Sequence, residues 1–248
     1  MNTGIGIEVE VENSIPVAVP GWTVKRDDSL RNDGAEFVTQ YGSRLHEVPL
    51  LVERLFSTFD KVQAAQGKKE LFQFNERTSI HVHLDCRKLS FDEIKSFLMV
   101  YTVFEDSLFK IAGEDRRHNI FCVPLRYVAM SAVARRTFHD LVSVWKKYCA
   151  INLSCLTTFG TIEFRHMEGN NNKKRIAQWV FILAKMLDFC RGTSSESLVK
   201  ELSTLKFVSQ YHQFAERVFG PFSNLIDIVP HEFDMAISDA KLFFHVKA

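Results

Sequence analysis

Nowhere in the 248 residues is there an apolar run long enough to cross a bilayer, for which about 20 consecutive apolar residues are needed. No membrane partner is expected. Met1-Asn2-Thr3-Gly4 leads straight into an alternating stretch, without the basic, apolar and small-residue succession of a secretory signal, so the expected location is the cytoplasm. The five cysteines (86, 122, 149, 155 and 190) show no C-x-x-C or Cys/His spacing, which argues against zinc and for reduced thiols. Charge of one sign is also lacking. With 31 Lys plus Arg against 30 Asp plus Glu the net charge is +1, so no global field favours nucleic acid or anionic lipid as the main partner. The chain has no Walker or dinucleotide glycine loop, no H-E-x-x-H helix and no internal repeat. Any bound nucleotide would then rest on cations and basic side chains rather than on backbone amides.

What is present suits one folded domain over 1–248, its last part (190–248) a helical extension of the same domain. Apolar residues make up 46% and charged residues 25%, with 22 Phe to fill a large core. The expected class is α+β. Between Ile5 and Glu12 the chain alternates strictly, Ile5, Ile7, Val9 and Val11 on one face and Gly6, Glu8, Glu10 and Glu12 on the other, which is the period of a half-buried strand. Ser79–Asp85 and Gly160–His166 repeat that alternation, and Trp22–Val24, Ala35–Thr39 and Tyr148–Leu153 read as further strands. The last of these is expected to pair with Gly160–His166 through a turn near 157–160.

Helical spacing of apolar residues predicts helices near 46–66, over 133–147 and over Lys173–Cys190. Ser90-x-x-Glu93 is a capping box opening a helix that stops at Gly113, and Thr193-x-x-Glu196 reads as another. Beyond 190 the chain reads as mainly helical, broken at Gly220-Pro221 and Pro230.

Chemistry concentrates on the polar faces of three strands. Carboxylates two positions apart on one strand lie about 6–7 Å apart, since the rise is ~3.3 Å per residue. Glu8 and Glu10 can therefore share metal ions or substrate, although a solvated edge strand would look the same. His81 and His83 place two imidazoles on one face, able to ligate a cation or meet a phosphate. Glu163 and Arg165 set a carboxylate for a divalent cation beside a guanidinium for phosphate oxygens, the pairing phosphoryl transfer uses, or else form a plain surface pair. Hard oxygen ligands favour Mg²⁺, and the imidazoles admit Mn²⁺. Lys25, Arg116 and Arg117 are candidate nucleotide contacts, each equally readable as a solvated charge.

Taken in order, Gly6-Ile7-Glu8-Val9-Glu10, Trp22-x-Val24-x-x-Asp27-x-Ser29-Leu30, Gly34-Ala35-Glu36-Phe37-Val38, Ser79-x-His81-Val82-His83, Arg116-x-x-Asn119-x-Phe121-Cys122-x-Pro124, Tyr148-x-Ala150-x-Asn152-Leu153 and Gly160-Thr161-Ile162-Glu163-Phe164-Arg165, with Trp179 downstream, resemble the amidoligase family. The resemblance covers about residues 5–185. That family is similar to the glutamine synthetase and glutamate–cysteine ligase superfamily, whose active site lies on a curved antiparallel sheet packed against helices. Its members activate a carboxylate as an acyl phosphate before an amine attacks.

The resemblance implies ATP and Mg²⁺, a small-molecule or peptide carboxylate and an amine as partners, and a bacterial or phage source, hence bacterial or host cytoplasm. It implies metal-ligand roles for Glu8, Glu10, Glu36, one of His81 and His83, and Glu163. Arg165 would hold transferred phosphate, with Glu163 and His83 beside it in the catalytic set. Two positions depart from the pattern: Asp27-Asp28-Ser29 stands where Asp-Gly-Ser is usual, and Asn170 stands where Thr is more usual. The other readings are a metal-dependent hydrolase or nuclease, whose water the same ligands could activate, and a binding module using Lys173-Lys174-Arg175.

Overall fold

A computed structural model describes residues 4–40, 42–69, 71–127, 137–143 and 145–248. Seven strands form one open sheet: β1 (Gly4–Val11), β2 (Trp22–Arg26), β3 (Ala35–Thr39), β4 (Ser43–Arg44), β5 (Ser79–Asp85), β6 (Ile151–Asn152) and β7 (Thr161–Glu168). Their order is β2-β3-β1-β5-β7-β6, with β4 paired to the start of β1, and every pairing is antiparallel. The class is α+β, as expected. Ile5, Ile7 and Val9 of β1, Ile80, Val82 and Leu84 of β5, and Ile162 and Phe164 of β7 are buried in the core. Period-2 alternation then forces their polar neighbours onto the opposite face.

Among the described residues the α-helices are α1 (Val48–Gln66), α2 (Phe91–Ala112), α3 (Phe138–Ser143), α4 (Cys155–Thr158), α5 (Lys173–Cys190), α6 (Ser195–Thr204), α7 (Val208–Phe219) and α8 (Pro230–Ala240). Helix α2 starts at the expected capping box, where Ser90 Oγ accepts the Glu93 amide at 3.2 Å and Glu93 Oε2 accepts the Ser90 amide at 2.7 Å. It packs against β7 through Phe97 and Phe164, whose rings meet edge-on at 5.8 Å. On its other side Phe104 gathers Phe214, Phe219 and Phe233, with ring centroids 5.6, 4.8 and 5.5 Å away. The helices after residue 190 are thus built into the same hydrophobic core as the sheet. Among the described residues no helix is long and apolar enough to cross a membrane.

Three local expectations change. The Thr193 box does not form. Helix α6 begins one residue later, its N-cap Ser194 makes no side-chain cap, and Asp92 of α2 takes both the amide (3.0 Å) and the hydroxyl of Ser195 instead. A carboxylate from a neighbouring helix fills the role the local hydroxyl was expected to have. The strand expected over 148–153 shortens to Ile151–Asn152, and the helical turn α4 replaces a tight turn before Gly160 at φ 69°. Of the helix expected over 133–147, Phe138–Ser143 is helical, while residues 133–136 and 144 lie outside the described residues.

The β5–β7 ladder carries a bulge. Ile80 pairs with Met167 and Val82 with Phe164, so His81 alone faces both Arg165 and His166. Alternation sends Arg165 to a cavity on the polar face and leaves His166 fully buried against Tyr101, Phe109 and Trp179, while the extra residue brings buried Met167 opposite Ile80.

Candidate active site

The register decides which polar side chains meet. Glu8 lies opposite His81, Gly6 opposite His83, and Glu10 opposite Glu36; His83 in turn faces Glu163, which faces Asn152 on β6. All but Gly6 line one cavity of about 420 Å³, with Arg165 beside them. His81 Nδ1 is 3.2 Å from Glu8 Oε2 and 3.4 Å from Glu163 Oε1. His83 Nε2 is 3.3 Å from Glu8 Oε1 without the geometry of a hydrogen bond, and this buried nitrogen has no other hydrogen-bond partner among the described residues. His83 Nδ1 is 3.1 Å from Thr161 Oγ1.

Glu163 is held from both sides. Arg165 donates to Oε1 at 2.5 Å, and Asn152 Nδ2 donates to Oε2 at 2.7 Å. Glu10 is equally anchored, with Oε2 accepting the Ser79 amide at 2.8 Å and the Ser79 hydroxyl at 2.5 Å.

Burial drives the carboxyls of Glu8, Glu36 and Glu163 upward, and their neighbours decide the outcome. The Glu8 carboxyl is pushed up by burial but held far below the usual range by its close contacts with His81 and His83 and by their charges. For Glu163 burial is likewise outweighed, by the charges of His81, Arg165 and His83. Burial lowers His83, but Glu8 and Glu163 bring it above its ordinary value. Glu36 is relieved less: burial, with the Glu8 charge next, raises its pKa to about 8 although Lys25 opposes the rise. Crowded buried carboxylates that cannot all ionise are what a polyvalent cation relieves.

Among the described residues two sets of side chains could hold such a cation. Glu8, Glu36 and His81 form one, and Glu8, His83 and Glu163 the other, the offered ligand atoms of each lying within 4.8 Å of one another. Carboxylate oxygens with one imidazole each suit Mg²⁺ or Mn²⁺, and the unpartnered Nε2 of His83 is a donor atom fitted to such a role. Glu10 shares the cavity but belongs to neither set.

Not every predicted residue comes here. Arg116 is buried behind the sheet, its guanidinium donating to the carbonyls of Arg165 and His166 at 3.1 Å each, so it braces the bulge. Arg117 is bonded to Asp106 of α2. Neither lines the cavity. Lys25 lies in a second cavity of about 580 Å³ on the same face, which shares Glu8, His83, Thr158 and Phe159 with the first. Glu12 leaves the acidic row altogether, accepting Arg31 N and Asn75 Nδ2 at 2.8 Å each. The ends of the basic triplet are engaged internally, Lys173 with Glu53 at 2.9 Å and Arg175 with Glu168.

Sequence reading gave no role to Asn152, Arg77, Lys147 or Tyr148, all of which line the first cavity. Asn152 and Tyr148 sit in a motif that was recognised, but Arg77 and Lys147 carry no local signal. Cys155 lies 3.4 Å from Glu163 Oε2, and burial, with the Glu163 charge next, pushes its thiol up to about 12, so it is not a thiolate nucleophile.

The family model described as "putative amidoligase enzyme" matches residues 5–187. Comparison with curated proteins returns no match. The matched span holds every side chain of both candidate cation sets, Arg165 with its bracing Arg116, and the helices that back the sheet as far as Leu187. This chain belongs to the amidoligase family, whose name denotes a ligase.

Proposed function

We propose that this protein is an ATP- and Mg²⁺-dependent carboxylate–amine ligase, acting in the cytoplasm, that forms an amide or isopeptide bond through an acyl phosphate on a glutamine synthetase-like sheet. The observation that carries the reading is that Glu8 belongs to two cation-binding sets at once, with Arg165 fixed beside one of them. Bound Mg²⁺, or Mn²⁺, supplies charge neutralisation for phosphate oxygens.

In the reaction a carboxylate oxygen of the acid attacks the γ-phosphorus and ADP departs. The amine nitrogen then attacks the acyl carbon, losing a proton, and inorganic phosphate leaves. Glu8, Glu36, His81, His83 and Glu163 would hold the ions, while Arg165 offers its remaining N–H groups to the oxygens of the phosphoryl group. Asn152 keeps Glu163 turned toward the cluster, and Ser79 does the same for Glu10. The two cavities flank Glu8 and His83, so acid and nucleotide can approach from different sides, and the larger one, with Lys25, suits the nucleotide.

The test is ADP release on mixing the protein with ATP, Mg²⁺ and pairs of candidate acids and amines, with Glu163→Gln as control. Dependence on all three substrates, lost in the variant, supports ligation. Cleavage of peptide or nucleic acid without ATP, or Mg²⁺ binding with no ATP turnover for any pair, would sink it.

A further inference from the structure

The direction of Arg165 is set from two sides. Its Nε donates to the Phe121 carbonyl at 3.3 Å, on the loop that runs from Arg116 to Tyr127. Its backbone lies in β7, where the Arg165 amide donates to the Ala150 carbonyl at 2.8 Å. Loop and strand are joined in turn, since Val123 N donates to the Tyr148 carbonyl and Ala150 N to the Val123 carbonyl, each at 2.8 Å.

Both sides converge on a carboxylate that lines neither of the two cavities and belongs to neither candidate cation set. Glu105 of α2 is 1% exposed, and its Oε1 accepts the Leu125 amide at 2.6 Å and the Tyr101 hydroxyl at 2.7 Å. Oε2 accepts the Arg126 amide at 3.4 Å. The two amides belong to the loop of Phe121. Tyr101 leads the other way, its Oη standing 2.8 Å from Nε2 of His166, the residue after Arg165. A phenol has one hydrogen and Glu105 takes it, so His166 must donate Nε2–H to the Tyr101 oxygen. An ionised group this deeply buried is costly unless fully bonded, and these partners serve a carboxylate, an acceptor only.

We propose that Glu105 is a positioning residue for Arg165, clamping the Phe121 loop to β7 so that the guanidinium keeps its direction into the cavity. The consequence for phosphate rests on the ligase reading. Glu105→Gln keeps the size of the side chain but removes the charge and turns an amide N–H toward groups that are themselves donors.

The experiment is a double-mutant cycle on the preference for Mg²⁺ with AMP-PNP over Mg²⁺ with ADP, measured by calorimetry. That ratio isolates the contact of Arg165 with the terminal phosphate. Glu105→Gln is expected to lower it about three- to tenfold, the scale of one hydrogen bond, and to change nothing further in the Arg165→Ala background. Mn²⁺ binding should be unaltered, because no cation ligand is touched. Equal loss in both backgrounds, or no loss with Arg165 present, overturns the proposal.

A second measurement needs no nucleotide. At about pH 8, above the Glu105 value of about 7, heteronuclear NMR should find His166 as the Nε2–H tautomer and Arg165 Nε–H slow to exchange with water. Exchange should quicken several-fold in Glu105→Gln, and less in Tyr101→Phe, which cuts the His166 branch alone and serves if the first variant does not fold. An Nδ1–H tautomer in the unsubstituted protein, or exchange that neither variant moves, overturns the clamp. If AMP-PNP binds no tighter than ADP while the NMR results hold, the clamp is supported and the phosphate role of Arg165 in the ligase reading falls.

Discussion

Asn152 reaches across from β6 to donate to Glu163 Oε2 at 2.7 Å, leaving the other oxygen of Glu163 to Arg165 and His81. Its own Oδ1 accepts the Ser154 amide at 3.1 Å and hydroxyl at 2.7 Å, so the amide orientation is fixed. Groups that orient a metal ligand typically govern affinity by 10- to 100-fold. Asn152→Ala should therefore weaken Mn²⁺ binding by about that factor while leaving the fold intact, as followed by electron paramagnetic resonance titration.

Glu8 and Glu36 should differ in consequence. Since Glu8 is common to both cation-binding sets and Glu36 belongs to one, Glu8→Gln should abolish binding at both, and Glu36→Gln should leave the set of Glu8, His83 and Glu163 competent. Counting Mn²⁺ ions per chain by equilibrium dialysis decides this. Equal loss in both variants would contradict the shared role.

Buried titration makes a further prediction away from the site. Tyr101 Oη donates to Glu105 Oε1 at 2.7 Å and stands 2.8 Å from His166 Nε2. Burial, with the Arg116 charge second, lowers His166 to about 3, whereas burial raises Glu105 to about 7. The unfolded chain binds the extra proton at His166 below its ordinary value of about 6.5, so that residue's contribution is lost as pH falls from there toward 3. Glu105 acts oppositely, its contribution being full below its ordinary value of 4.5 and lost as pH rises to about 7. The two slopes offset one another between about pH 4.5 and 6.5.

Substitution should expose each slope. Relative to the unsubstituted protein, stability of Glu105→Gln should climb by about 2–3 kcal/mol over that window, and that of His166→Gln should fall by a similar amount. Urea unfolding at pH 4.5 and 6.5 measures both.

Phe104→Ala should cost about 3–5 kcal/mol, as for other large aromatic truncations in cores. Because Phe104 touches Phe214, Phe219 and Phe233, the loss should appear in one unfolding transition shared by the sheet and the helices after 190. A separate early transition, seen by calorimetry, would show that the C-terminal helices unfold on their own.

Much of this architecture is a local matter. Ile5–Glu12, Ser79–Asp85 and Gly160–His166 announce strands because a residue's face is set by parity alone, and parity is visible in one dimension. The same rule put Glu8, Glu10, His81, His83, Glu163 and Arg165 on polar faces before any pairing was known. The Ser90 box was equally legible, since its donors and acceptors lie within one helical turn.

Three things were decided only in the folded chain. Which polar residues meet depends on register between strands far apart in sequence, as with Glu8 opposite His81, and parity does not encode register. The bulge opposite His81 brings Met167 back to the core face opposite Ile80, a register shift that alternation does not announce. Partners from other elements settled the remaining charges: Arg116 braces carbonyls of β7, Arg117 meets Asp106, and Asp92 caps α6 where Thr193 was expected to help. The sequence by itself determined the face each residue shows, because side-chain direction follows from the backbone period. Only the tertiary structure decided the neighbour each charge acquires, because pairing energy depends on distances set by segments tens of residues away.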